Sequence, residues 1–275
     1  MWKEISLDDK PIIDRFFQSY PTELSDYTFT NLWIWNEERH YHYQVIEECL
    51  CIRFDFHGSP IYLMPTGTAY TQKLFDQLLN EMPNFRMRAI SEEKIEAVQS
   101  FLPSLHVIEE SEHFDYLYRF DDLKSLAGNA LQPKRNLVHQ FEDHYEFLYQ
   151  AIDSALLSKV IQMHKQLPET HSTKAELRAL LDFERLHIQG GALLVDNEVI
   201  AYTLGEKLNP DTWVIHEEEA LTEFKGAYQA INQMFLQHLP EATYVNREED
   251  LGNPGLEHAK HSYHPVKMIK KYILL

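Results

Sequence analysis

The chain is poor in the residues that punctuate or staple a fold. It has 9 Gly, 12 Pro and 2 Cys in 275 residues. That composition excludes collagen-like and low-complexity chains. Two cysteines cannot build a disulfide framework, so a reducing, cytoplasmic setting is expected. Long hydrophobic runs are missing too. The longest are short pieces such as Ala192-Leu193-Leu194-Val195 and Tyr272-Ile273-Leu274-Leu275, far short of the roughly 18 apolar residues of a membrane span. The opening Met1-Trp2-Lys3-Glu4-Ile5-Ser6-Leu7-Asp8 is too acidic for a signal peptide. Positive charge is scarce: 25 Lys and Arg face 43 Asp and Glu, a net of −18. Proteins that track phosphates need basic surface to release counterions, so extensive nucleic-acid binding is disfavoured. A local basic pocket is still compatible with the composition.

What is present is globular. Hydrophobic residues make up 44% and aromatics 12%. A short strand near Trp2–Ser6 precedes a helix with Ile12, Ile13, Phe16 and Phe17 at helical spacing, and a second helix with Trp33 and Trp35 follows Ser25. Strands over 41–47, 49–54 and 60–64 then read as an antiparallel meander. A helix to Met82, a strand at 85–90, a helix after Ser91 and a strand at 114–120 complete a first unit. From residue 121 a similar order recurs. Helices over 133–141, 153–167 and 173–187 surround a strand at 144–149. The strands Gly190–Val195, Val199–Gly205 and Thr212–Glu217 follow, with Asp196-Asn197-Glu198 as hairpin turn. A helix over 226–238, a strand at 242–246 and a last strand near 266–273 close it. The pattern predicts an α/β (α+β) protein of two domains, 1–120 and 121–275, each a mixed, mostly antiparallel sheet flanked by helices.

This order resembles the GNAT acyltransferase fold, and its duplication resembles the tandem-GNAT aminoacyltransferases. Three segments are more specific: Ser25-Asp26-Tyr27-Thr28-Phe29-Thr30-Asn31-Leu32-Trp33-Ile34-Trp35, Pro133-Lys134-Arg135-Asn136, and Val245-Asn246-Arg247-Glu248-Glu249-Asp250-Leu251-Gly252 with Ala259-Lys260, Ser262-Tyr263 and Pro265. They are similar to a bacterial family grouped with the carboxy-terminal catalytic domain of phosphatidylglycerol lysyltransferases. The resemblance spans essentially the whole chain. It implies a transferase that moves an activated acyl or aminoacyl group to an amine, with the second unit carrying the site.

The candidate site residues cluster in that unit. Asn246, Arg247, Glu248, Glu249, Asp250 and Gly252 directly follow a strand, where loops of α/β sheets meet ligands; with Lys260 they form either a binding loop or an ion-pair knot. His216-Glu217-Glu218-Glu219 ends a meander strand. Acyl transfer needs a base to take the amine's proton, and Glu217 or Glu218 is expected to serve; alternation sets Glu217 on the face opposite His216 and Glu218. Lys134, Arg135 and Asn136 form a small basic cluster suited to a phosphate or carboxylate. Tyr263 is a candidate acid for the leaving group or a core aromatic, and no metal-ligand spacing is present. A CoA loop would offer backbone amides at a helix start. Here Glu223-Phe224-Lys225-Gly226-Ala227-Tyr228 keeps Gly226 but begins with an acid, and Pro65-Thr66-Gly67-Thr68-Ala69-Tyr70 has no basic residue. Acyl-CoA and aminoacyl-tRNA both remain candidate donors, with the aminoacyl form better matched to these loops. The alternative is a catalytically degenerate GNAT-like binding or sensor protein for a small anionic ligand or a partner. Cys49 and Cys51, two apart on a strand, read as buried core thiols.

Overall fold

A computed structural model describes residues 1–68 and 70–275. Ala69, within the loop from Pro65 to Tyr70 weighed above as a phosphate loop, lies outside the described residues. The chain forms two compact units, Met1–Asp115 with Ile269–Leu275 and Tyr116–Met268. The first begins with β1 (Lys3–Glu4), α1 (Lys10–Ser19), α2 (Phe29–Ile34) and α3 (Asn36–Arg39). It continues through β2 (His42–Ile46), β3 (Cys49–Phe56), β4 (Ser59–Leu63), α4 (Gln72–Glu81), β5 (Met87–Ile90), α5 (Ile95–Phe101) and β6 (Val107–Glu109). Next come β7 (Asp115–Arg119), α6 (Phe120–Ser125), α7 (Gln132–His144), β8 (Phe147–Ala151), α8 (Ser154–His164), α9 (His171–Leu181) and α10 (Phe183–Leu186). The chain ends with β9 (Gln189–Val195), β10 (Glu198–Asn209), β11 (Thr212–Ala220), α11 (Ala227–His238), β12 (Tyr244–Asn246), α12 (Pro254–His261), β13 (Lys267–Ile269) and β14 (Tyr272–Leu274).

Each unit is built on a seven-stranded mixed sheet, in the orders β1-β2-β3-β4-β5-β14-β6 and β13-β7-β12-β11-β10-β9-β8. The meanders are antiparallel, while β4 pairs with β5 and β11 with β12 in parallel. This is the α/β architecture expected from the element order. The strand assignment at the ends differs. The strand expected to close domain 1–120 is β7, and it pairs Leu117, Tyr118 and Arg119 with Asn246, Val245 and Tyr244 of β12, in the second sheet. The single last strand expected near 266–273 is two short strands in different sheets: β13 flanks β7, and β14 inserts between β5 and β6. Residues 116–120 therefore fall in the second unit and 269–275 in the first. The physical reason is that residues 114–118 are buried on both faces and residues 269–274 mix buried with half-buried positions, and neither pattern says in which sheet the strand pairs.

In the first unit the Ser25–Tyr27 segment is explained by burial. Lys271, 1% exposed, ion-pairs Asp26 and Asp115 at 2.7 Å each. Asp115 accepts from the Ser25 amide at 2.8 Å and its Oγ at 3.0 Å. The Tyr27 hydroxyl donates to the carbonyls of Met64 and Ala89. Thr28 caps α2, its Oγ1 accepting from Asn31 N–H. Burial tends to raise the Asp26 pKa, but the Lys271 charge, with those of Arg88 and Arg39, outweighs it and holds the carboxyl at about 2. Cys49 and Cys51 are buried free thiols.

The second unit centres on Trp213, Tyr116, Tyr118, Phe141, Ile231 and Phe235, packed between its sheet, α7 and α11. Gly226 makes that packing feasible. It precedes α11 at φ +90°, and a Cβ there would stand 2.2 Å from the Leu137 carbonyl of α7.

Candidate functional site

The polar groups of the second unit gather where β11 and β12 end. In β11 the register slips: Leu204 of β10 pairs with Glu217 and Gly205 with Ile215, leaving His216 as the extra residue of a bulge. Bulges re-aim side chains, and this one turns the imidazole into a carboxylate pair. The His216 side chain is fully enclosed, Nδ1 bonding Glu248 at 2.7 Å and Nε2 bonding Glu206 at 3.0 Å. Burial works to lower its pKa, yet the hydrogen bonds and charges of Glu206 and Glu248 push it up to about 9, so the ring is imidazolium at neutral pH.

The residues after the bulge divide between the two faces. Glu218 accepts from Arg247 Nη2 at 3.0 Å and from the Asn232 amide of α11 at 2.8 Å. The Arg247 guanidinium lies 4.8 Å from the Tyr263 ring centre and 5.7 Å from that of Tyr118, and Lys134 Nζ lies 4.4 Å from the Tyr263 ring. Arg247 Nη1 is buried with no hydrogen-bond partner among the described residues. Desolvation and then the repulsion of Arg247 lower the Lys134 pKa. Burial pushes the Tyr263 phenol up, so it keeps its proton. Two cations thus share one aromatic ring and one carboxylate: a small positive locus in an acidic protein, able to take a carboxylate or phosphate oxygen.

Glu217 goes the other way. Its pKa is raised well above the usual carboxylate value by burial and then by the charges of Glu176, Glu248 and Glu219, and that of Glu176 on α9 is raised to about 8 by burial and then by the charge of Glu219. Glu219 accepts from the Tyr228 hydroxyl at 2.8 Å, with its pKa raised by burial.

The loop after β12 is internally braced. Lys260 Nζ donates to the carbonyls of Arg247 (2.7 Å), Glu248 (3.3 Å) and Glu249. Asn246 is buried and its Oδ1 accepts from the Glu248 amide at 2.7 Å. Asp250 accepts from the Tyr116 hydroxyl at 2.6 Å and the Gly252 amide at 2.9 Å, with Gly252 at φ +67°. The structure therefore brings Lys134, Glu218, Arg247 and Tyr263 together, sets His216 and Glu248 beside them through the same loop, and gives Asn246, Lys260, Asp250 and Gly252 the task of shaping it. Arg135 points elsewhere, its Nη1 donating to the carbonyls of Leu126 and Gly128 at the end of α6. Asn136 is exposed on α7, and Gly226 packs against α7 rather than opening a cradle. Those three stand apart from the cluster because adjacent helix positions point about 100° apart and because α7 covers the start of α11.

Glu206, Asn232, Tyr118 and Glu176 escaped the sequence reading. For Glu176 a signal existed: it is an acid beside Ala175 on the face that Ala179 and Leu180 bury in an amphipathic helix. Among the described residues, no cluster of three or more His, Cys, Asp or Glu is arranged to hold a metal ion, and no helix is long and apolar enough to cross a membrane.

Residues 17–275 match the family described as "Phosphatidylglycerol lysyltransferase, C-terminal". A crystal structure of a conserved protein of unknown function from Bacteroides thetaiotaomicron is 30% identical, covering 99% of this chain and 98% of that one, with a TM-score of 0.93. The C-terminal domain of a putative lysylphosphatidylglycerol synthetase from Agrobacterium fabrum shares the fold at 12% identity, with 98% and 92% covered and a TM-score of 0.69. A tandem GNAT protein of the clavulanic acid biosynthesis pathway shares it at 9% identity, with 99% and 97% covered and a TM-score of 0.53. An uncharacterised protein of Mycoplasmoides gallisepticum is 26% identical over 174 residues, 58% of this chain, and the match spans 55% of that relative's length. The two seven-stranded sheets are thus a tandem GNAT-like pair, and the chain belongs to the phosphatidylglycerol lysyltransferase C-terminal family.

Proposed function

We propose that the second unit transfers an aminoacyl or acyl group from an activated donor to an amine. The observation that carries this reading is the locus where Arg247 and Lys134 flank the Tyr263 ring against the single carboxylate Glu218. It offers positive charge for an anionic group of the donor, and the protonated Tyr263 phenol beside it suits a leaving group that needs a proton. Family membership supports transfer chemistry. The packed start of α11 and the acid Glu223 favour an aminoacyl donor over acyl-CoA, since neither leaves a cradle for pyrophosphate. Glu218, whose carboxylate stands in that locus against Arg247 and Asn232, serves as base for the amine. The amine attacks the acyl carbon, the N–C bond forms, the acyl–oxygen bond breaks, and the amine's proton ends on the departing oxygen.

The test is a transfer assay with aminoacyl-tRNA and with acyl-CoA donors against a panel of amines, read by product mass. We expect product from the aminoacyl donor and a loss of 100-fold or more in Arg247→Ala and Glu218→Gln, assayed at a temperature where circular dichroism shows each variant folded, because breaking the buried Arg247–Glu218 pair also lowers the unfolding midpoint. Variants that transfer as well as the parent would remove these residues from the reaction. The degenerate-binding reading has one observation of its own, the direct 3.0 Å pairing of Arg247 with Glu218, which closes part of the locus. Saturable binding of a small anion without any transfer would establish it instead.

A further inference from the structure

Glu218 is gripped by two planar groups, and each uses only half of itself in the grip. Arg247 donates through Nη2 to Oε1 at 3.0 Å, and Asn232 of α11 donates through Nδ2 to Oε2 at 2.8 Å. The other halves, Arg247 Nη1 and Asn232 Oδ1, are buried with no hydrogen-bond partner among the described residues. Asn232 as a whole is 2% exposed, so its oxygen is shielded from bulk solvent. A buried polar atom left in this way marks a place where a group from outside the chain completes the bonding.

The Asn232 amide cannot be turned round to remove the deficit. A carboxylate paired with a guanidinium only accepts, so the amide nitrogen has to face Glu218. Oδ1 is then one bond angle away from Nδ2, beside the carboxylate. A carboxylate has about four acceptor positions, so Glu218 can take a further hydrogen next to these two bonds. Two acceptors thus stand side by side at the base. A nucleophile that satisfies both must bring two hydrogens and keep a lone pair for the acyl carbon. A primary amine does so. A secondary amine or an alcohol brings one hydrogen and leaves the buried oxygen unpaired. Water meets the same count as a primary amine, which makes hydrolysis of the donor the background reaction. Arg247 Nη1, itself a donor, offers nothing to the amine's hydrogens and is left for an oxygen of the acyl donor.

We propose that Asn232 selects the acceptor: together with Glu218 it holds a primary amine by both N–H hydrogens, so the chain forms amides from primary amines and discriminates against secondary amines and alcohols. This rests on the transfer reading above. One N–H hydrogen bonds to Glu218 and the other to Asn232 Oδ1 while the nitrogen lone pair attacks the acyl carbon. As the N–C bond forms, Glu218 takes the first proton. The acyl–oxygen bond breaks, that proton passes to the departing oxygen, and the second hydrogen stays on the product amide, still bonded to Asn232. Asn232 touches the substrate and takes no proton.

The experiment uses the full chain, an aminoacyl-tRNA donor and three acceptors of equal size, ethylamine, dimethylamine and ethanol, with products read by mass and donor hydrolysis subtracted. If an amine of the wider panel is taken better than ethylamine, that amine and its N-methyl and hydroxyl analogues replace the three. The parent should favour the primary amine over the secondary by about 10-fold or more, because a site built to hydrogen-bond a substrate N–H rejects the analogue that lacks it. Asn232→Leu keeps the volume and removes the acceptor, so this preference should fall to about twofold or less. Loss of the Nδ2 bond to Glu218 slows both amines together, and crowding by the second methyl persists in the variant; the ratio therefore isolates Oδ1. The yield of amide over ester should fall in the same variant. A parent that takes the two amines equally well overturns the two-hydrogen rule while leaving transfer intact, and this holds whether or not the variant folds. A preference unchanged in a folded Asn232→Leu overturns the part given to Asn232. A parent that transfers to no amine at all overturns the reaction assigned above, and the acceptor rule with it.

Discussion

Replacing Lys271 with Met should destabilise the first unit more than any surface change. Its ammonium is enclosed between Asp26 and Asp115 at 2.7 Å each, and Met matches its length without its charge. Removing one partner of a buried ion pair leaves uncompensated charge and costs about 3 to 5 kcal/mol. The proton equilibrium gives an independent figure. Holding Asp26 at about 2, against 3.8 unperturbed, corresponds to about 2 kcal/mol at neutral pH, shared among Lys271, Arg88 and Arg39. A folded value below the unfolded one contributes stability that is complete above about pH 4 and is lost as pH falls toward 2. The gap between parent and Lys271→Met should therefore be widest at neutral pH and narrow as pH falls from about 4 toward 2, where the carboxyl of the parent also takes up its proton. Urea unfolding at pH 7, 4 and 3 measures it, and a midpoint drop of roughly 6 to 15 °C in a thermal scan is the matching expectation. A loss below 1 kcal/mol, or a gap that is the same at every pH, would refute the charge argument and reduce the effect to packing.

Three further outcomes are expected. His216→Gln should be less stable than the parent by about 3 kcal/mol at pH 6, with the difference fading as pH rises past 9, because the imidazolium is held to about 9 by Glu206 and Glu248; denaturant unfolding at pH 6 and 10 reads it. Gly226→Ala should lower stability by about 2 kcal/mol or more, since it combines a positive φ with a Cβ 2.2 Å from the Leu137 carbonyl, and calorimetry should show it even where no ligand binds. Lys260→Met removes the donor to three successive carbonyls, so amide exchange across residues 247–251 should rise at least tenfold while α8 and α9 keep their protection.

The order of strands and helices was legible because hydrophobic period and turn chemistry act locally. The partner of a strand is a different kind of fact. Tyr116, Leu117 and Tyr118 are all buried, a pattern that any central strand gives, and nothing in it distinguishes β5 from β12 as neighbour. At the site, strand alternation sufficed to separate Glu217 from Glu218, and the run Asn246–Gly252 stood out because five polar or charged residues follow an apolar strand. Arg135 misled for a simple reason: next to Lys134 in sequence, it points about 100° away on α7 and satisfies carbonyls at the end of α6. Asn232 comes to the site from α11, which packs on β10 and β11, and such packing leaves no spacing rule to read; Glu176 is readable only as an acid on the buried face of an amphipathic helix. The bulge that isolates His216 is a register slip between β10 and β11, which no single strand's sequence displays.

The placement of β14 has a consequence for biosynthesis. Tyr272, Ile273 and Leu274 pair with Glu109, Ile108 and Val107, so the first sheet gains its sixth strand only after the whole second unit has left the ribosome. Until then β5 and β6 have a vacant position between them, an open edge inside the sheet, and the acids Asp26 and Asp115 are waiting for Lys271. The second sheet, by contrast, has β7 available before any other of its strands emerges. The nascent chain thus meets the usual order in reverse, the later unit able to close before the earlier one, and a stalled or clipped chain lacking its last seven residues would expose the first unit to chaperones and proteases while leaving the second largely formed.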